Sequence, residues 1–177
     1  MDDDLTAADA EHILAICRAL VDCAGCVLHG SPVKPALCRL EPRQANDAAK
    51  PSGNQCAVYA GVVPEAVLMH AVIDRAYLSS RFASYRLGYR FEGGRCVFRV
   101  TGNVLDLVRQ SDSRLCTNGF VYALDRAFFQ QSLECAAEFF SLRPVVPLRR
   151  LQVPAGLGLH LLSERAVETL APCGHVR

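Results

Sequence analysis

The chain has 177 residues, enough for one sizeable core and too few for two ordinary domains. Apolar residues make up 51% and charged residues 21%, a balance that excludes disorder along the whole length. The formal net charge is +1 and the arginines run from Arg18 to Arg177 without a long cluster, which argues against an electrostatically driven nucleic-acid binder.

The opening, Met1-Asp2-Asp3-Asp4, is acidic where a signal peptide would be basic and then apolar. No stretch approaches the roughly 20 consecutive apolar residues that span a bilayer. The expected location is therefore the cytoplasm, of a host cell if the protein is an effector, with no membrane partner.

From Thr6 to about Asp22 the pattern predicts an amphipathic helix. Thr6 is placed to cap it, Asp9 suits the positive end of its dipole, and Ile13, Leu14, Ile16, Cys17, Leu20 and Val21 form an apolar stripe. Ala24-Gly25 is a stop signal. Residues 1–25 are thus read as an N-terminal helical segment, 26–162 as the main body, and 163–177 as a short C-terminal helix and tail, all within a single domain.

Cys26 to Leu28 is a short apolar run ending in His-Gly-Ser-Pro, and predicts a buried strand. From Glu41 to Asn54 apolar bulk gives way to Pro, Asn, Asp, Gly and Ser, which predicts a loop and a candidate lid. Gln55 to Val62 is a second strand candidate. Pro64 then opens the segment "PEAVLMHAVIDRAYL", apolar on nearly all sides and expected as one buried helix.

Tyr85 to Val100 reads as two strands around Glu92-Gly93-Gly94, and Val104 to Gln110 as a short helix. Asn118-Gly119 favours positive φ before the strand "FVYAL", "EFFSL" opens a later strand, and Pro144 and Pro147 put the last strand at a bend or an edge. A C-terminal helix is expected from about Ser163. This order predicts an α+β fold rich in short antiparallel strands.

Nine cysteines are scattered, odd in number and mostly set in apolar sequence, as buried free thiols are. Cys23-Ala24-Gly25-Cys26 is a CxxC, with Cys17 upstream. A zinc site would need a second pair at matched spacing, which does not follow, so no metal is assigned. A zinc-stabilised domain built on Cys17, Cys23, Cys26 and a histidine is kept as an alternative.

Three polar residues interrupt apolar strand candidates: His29 after "CVL", Tyr59 within "CAVYAGV", and Glu138 at the start of "EFFSL". Taken singly they read as a turn histidine, a core tyrosine and a solvated carboxylate. Their joint order resembles the ADP-ribosyltransferase fold, in the branch with a His-Tyr-Glu triad shared by diphtheria-toxin-like toxins and the poly(ADP-ribose) polymerase catalytic domain. The resemblance runs from about Cys26 to Val153, and extends to small bacterial and phage proteins with a "YHGS" start.

The resemblance implies split antiparallel sheets with an N-terminal helix and a buried helix after the second strand. It also implies NAD as substrate and transfer of ADP-ribose to an acceptor, protein or nucleic acid. His29 would bond the adenosine ribose, Gly30 the nicotinamide carboxamide with help from Ser31, and Tyr59 would stack on the nicotinamide ring. Glu138 would bond the nicotinamide ribose and stabilise the positive charge that develops as nicotinamide leaves. His70 stands eleven residues after Tyr59, where polymerase-like members carry a second stacking tyrosine. Ala136 stands two before Glu138, so the ExE pair of arginine-modifying members is missing. An NAD glycohydrolase and a non-catalytic binding module on the same fold are the alternatives. Arg39, Arg43, Arg81 and Arg86 each read as part of a solvated face, with a diphosphate anchor among them as the alternative, and none is named as a ligand.

Overall fold

The computed structural model describes residues 7–33, 38–45, 54–93, 95–165 and 167–171. Helix α1 (Ala7–Asp22) buries Ala10, Leu14 and Cys17 along the predicted stripe, with Ile13, Leu20 and Val21 packed beside them. Its predicted cap, Thr6, lies outside the described residues.

A large antiparallel sheet follows, assembled from β1 (Cys26–Ser31), β2 (Arg43–Gln44), β3 (Cys56–Gly61), β6 (Gly119–Asp125), β7 (Gln130–Gln131), β8 (Glu138–Ser141) and β9 (Arg149–Val153). Its order is β7-β8-β3-β1-β6-β9, with β2 added on β3. Arg43 and Gln44 thus turn part of the expected 41–54 loop into strand; positions 46–53 of that loop lie outside the described residues. The second sheet has three strands, β4 (Leu87–Glu92), β5 (Arg95–Thr101) and β10 (Val167–Leu170), in the order β10-β5-β4.

The expected long helix is divided. Helix α2 (Pro64–Val72) ends where Ile73 turns extended and bridges Cys116, and the Asp74 carboxylate then accepts the Tyr77 N–H at 2.8 Å to start α3 (Arg75–Arg81). The break is a capping event that the unbroken apolar run conceals. Helix α4 (Gly102–Arg109) starts two residues before its expected onset.

The C-terminal helix expected from Ser163 is corrected. Helix α5 (Gly156–Glu164) ends there, and Val167–Leu170 is the strand β10, paired parallel to β5. Leu157, Leu161 and Leu162 bury against the core, which favours the earlier placement. Pro144 and Pro147 lie in the connection between β8 and β9, and β9 is the last strand of its sheet.

Burial sorts the apolar residues into two clusters. The larger one lies between the sheets and takes α1, α2 and α5, Leu28, Val121, Ala123 and Val153 from the large sheet, and Phe98 and Val100 from the small one. The smaller one covers the other face of the large sheet with Val27, Val58, Ala60, Tyr122, Leu124, Phe139, Leu40 and Val145.

Helix α2 lies close enough to the sheet that two strand positions admit only glycine. A Cβ on Gly30 would stand 2.1 Å from the Val67 carbonyl oxygen, and one on Gly119 would stand 1.8 Å from that of Ala71. Gly119 is not in the positive-φ region expected for Asn118-Gly119. Its role is close approach, while the Asn118 Oδ1 accepts the Ala155 N–H at 2.9 Å.

Among the described residues no helix is long and apolar enough to cross a membrane.

Candidate active site

Strands β1 and β6 register over their whole length, from Cys26 with Asp125 to Ser31 with Phe120. Between β1 and β3 only Leu28 and Gly61 are in register. Past that pair the sheet opens, and the His29 Nδ1 lies 2.6 Å from the Tyr59 carbonyl oxygen across the gap. A side chain thus bridges strands where the backbone ladder has stopped.

The carbonyl can only accept, so Nδ1 carries the proton. Burial, the largest influence, pushes His29 below its ordinary pKa against the opposing pull of the Tyr59 hydrogen bond, and Arg43 pushes it the same way. The ring is therefore neutral at pH 7, and its Nε2 is an acceptor suited to a ligand hydroxyl.

Across the gap, Glu138 opens β8 directly opposite Gly61. Its N–H donates to the Cys135 carbonyl and its own carbonyl accepts from the Ser132 N–H, each at 2.9 Å. The main chain thereby fixes where the carboxylate begins. Leu28, Gly61 and Glu138 make one row on the α2 side of the sheet. The pleat sends His29 to the other face, where its ring centroid is 6.2 Å from that of Tyr122. Tyr59 is anchored at the far end of its ring, because its hydroxyl donates to the Gln55 carbonyl at 3.1 Å.

These elements enclose one cavity of about 800 Å³, within the range of small-molecule sites. His29, Gly30, Tyr59, His70 and Glu138 all line it. Ser31 does not: it lines an adjoining cleft of about 340 Å³, and its hydroxyl donates to the Val33 carbonyl at 3.0 Å. The two hollows share His29, Gly30, Ala45 and Tyr59. Arg39 and Arg43, read from the sequence as solvated, both line the cleft, and Arg39 is paired with Glu41.

His70 sits exposed at the rim, where an Arg75 guanidinium nitrogen 3.1 Å away donates to its Nδ1. Arg75, Tyr89, Arg90 and Cys135 also line the cavity and were not singled out by sequence reasoning. Tyr89 is the most consequential. It projects from β4 beside Leu87, and burial together with the nearby Glu138 carboxylate pushes its phenol well up, so it stays neutral and aromatic in the cavity. The alternation of Leu87 and Tyr89 in the predicted hairpin was the available signal.

The eight described cysteines are free thiols, and among the described residues no group of three or more His, Cys, Asp or Glu side chains is arranged to hold a metal ion. Cys17, Cys23 and Cys26 therefore do not form the zinc site of the alternative reading. Burial pushes the Cys17 thiol up to about 11 and the Cys96 and Cys116 thiols up to about 12, so all three are packing residues with little thiolate at pH 7.

Compared with protein-family models, curated proteins and solved structures, the chain matches none.

The lowered His29 pKa makes folding sensitive to acid. Unfolded histidine binds a proton near pH 6.5 and folded His29 does so only lower, so this contribution is whole above about pH 6.5 and falls as pH drops toward the folded value. Urea midpoints measured from pH 8 to 5 should decline, and the decline should be shallower in His29→Gln. Equal slopes in the two proteins would refute it.

Proposed function

We propose that this protein binds NAD in the cavity between β1, β3, β8 and β4, cleaves its nicotinamide glycosidic bond and transfers ADP-ribose to an acceptor, protein or nucleic acid. The observation that carries the reading is the convergence of His29, Gly30, Tyr59, His70 and Glu138 on one cavity. They come from three neighbouring strands and a helix, and are separated by up to 109 positions in sequence. The split between β1 and β3 supports the finer fold assignment, that of an ADP-ribosyltransferase.

In this reading nicotinamide lies on the anchored Tyr59 ring, beside the Gly30 backbone. The neutral His29 accepts from a ribose hydroxyl, and the adjoining cleft with Arg43 takes the diphosphate side. Nicotinamide departs with the electron pair of the glycosidic bond, leaving positive charge on the anomeric carbon. The Glu138 carboxylate stabilises that charge until an acceptor nucleophile bonds the carbon and releases its proton. With water as acceptor the same site is an NAD glycohydrolase.

Tyr89 compensates for His70 at the position of the missing tyrosine by supplying an aromatic face from β4 in place of one from α2. Tyr89→Ala should weaken NAD binding about two- to tenfold, the usual worth of an aromatic pair, while Tyr89→Phe keeps it. Isothermal titration of both variants reads this directly, and identical affinities for the two would remove Tyr89 from the site.

The activity itself is tested by incubating the protein with NAD and candidate acceptors and measuring nicotinamide release. Nicotinamide should appear above the uncatalysed rate. Heat on NAD titration without release would favour the binding module, and neither heat nor release would overturn the NAD reading altogether.

A further inference from the structure

The two faces of the large sheet are covered very differently. One carries three helices, whereas among the described residues the smaller cluster on the other is crossed by extended chain, with one short 3-10 turn at its edge (Arg126–Phe128): Leu40 and Val145 exchange backbone hydrogen bonds at 2.8 and 3.0 Å over Val58 and Tyr122. The connection from β8 to β9 that makes this crossing leaves Leu142, Val146 and Leu148 at 56%, 67% and 61% exposed. Three large apolar side chains within seven residues is an unusual surface for a chain to leave in water.

Its charge is one-sided. No acidic residue occurs from position 139 to 163, while Arg143, Arg149 and Arg150 lie in that stretch. Two guanidinium groups are laid on rings of this face, Arg126 over Phe139 at 4.5 Å and Arg150 over Phe120 at 5.5 Å. Among the described residues Arg126, Arg143, Arg149 and Arg150 make no ion pair. Of the nearby acids, Glu41 pairs with Arg39, and Asp125, which accepts the Ala127 N–H at 2.9 Å, stands opposite Cys26 on the helix side of the sheet.

Strand β9 supplies the third element. It closes the sheet order, so among the described residues its outer backbone groups have no strand beside them. A second copy of β9 would bring arginines against arginines. A lipid surface offers no backbone to pair with the strand, and a nucleic acid leaves the leucines and valine without apolar contact.

We infer that this face docks an acidic, extended protein segment whose apolar side chains cover Leu142, Val146 and Leu148, whose carboxylates meet Arg143 and Arg150, and whose backbone adds to β9. None of Leu142, Arg143, Val146, Leu148 and Arg150 lines the cavity or the adjoining cleft, so the proposal stands whether or not that site turns over NAD.

The test uses the full chain and a fluorescein-labelled eight-residue peptide alternating glutamate with leucine and valine, read by anisotropy. Saturable binding is expected, weakened about tenfold or more in Arg143→Glu/Arg150→Glu and much less in the equally charged control Arg81→Glu/Arg109→Glu. Amide exchange in β9 should slow when the peptide is bound. Should the charge variant fail to fold, Val146→Ser/Leu148→Ser is read in the same way. Absence of saturable binding, equal loss in variant and control, or capture of phosphatidylserine vesicles or single-stranded DNA with the peptide left unbound, overturns the inference.

Discussion

Glu138→Gln should lower the rate of nicotinamide release about 10²- to 10³-fold while leaving fold and NAD affinity near those of the parent. The amide keeps the size of the carboxylate and removes its charge. What holds the start of β8 is main chain, namely the hydrogen bonds of residue 138 with Cys135 and Ser132 and the pairing with Gly61, so the substitution leaves the strand in register. The deficit should therefore fall on the bond-breaking step, where charge develops, and little on ground-state binding. Single-turnover release at saturating NAD, beside a calorimetric titration, separates the two. A variant as fast as the parent would assign the chemistry elsewhere.

The second large effect is expected at Gly30. An alanine there drives its methyl into the Val67 carbonyl at 2.1 Å, with the Ala71 nitrogen at 2.8 Å, and these are backbone atoms of a helix with no rotamer to yield. Overpacking of this kind costs about 1–3 kcal/mol. With the obstacle in main chain, the upper end applies, which for a chain of this length lowers the melting temperature by roughly 6–12 °C. NAD binding should fall with it, since relief requires β1 and α2 to separate and both line the cavity. Gly88→Ala is the internal control: Gly88 also lines the cavity, and a Cβ there meets nothing within 4 Å. Equal melting temperatures for the two variants would remove the packing argument.

Gly30 also shows how the sequence is informative for a reason other than the one first read from it. Its place in His-Gly-Ser pointed to a ligand approached by backbone, whereas the approach that demands glycine is by α2. Both pressures select the same residue, and composition cannot separate them. Elements with strong local signals were legible: the stripe of α1, the strands at Cys26 and Cys56, the hairpin around residue 93, and Glu138 at the first position of β8. What escaped depended on distant partners. Ile73 leaves the helix because Cys116 is there to pair with it, and Val167–Leu170 is a strand because β5 waits beside it. Within the site, the alternation along β4 puts Leu87 and Tyr89 on one face, but that this face lines the same cavity as α2 and β8 depends on where the small sheet sits, which a local pattern does not report.

Strand β10 is made long after the strand it completes: Val167 pairs with Phe98, sixty-nine positions earlier. A two-stranded hairpin such as β4 and β5 is marginal in water until a third strand or a packed face supports it. On the ribosome, the wall that carries Tyr89 is therefore left without its third strand until residue 170 has emerged. Between residue 138 and residue 170 the nascent chain carries the Tyr59 and Glu138 side of the cavity with the opposite side still unsupported, so the cavity is completed only in the last stretch of synthesis.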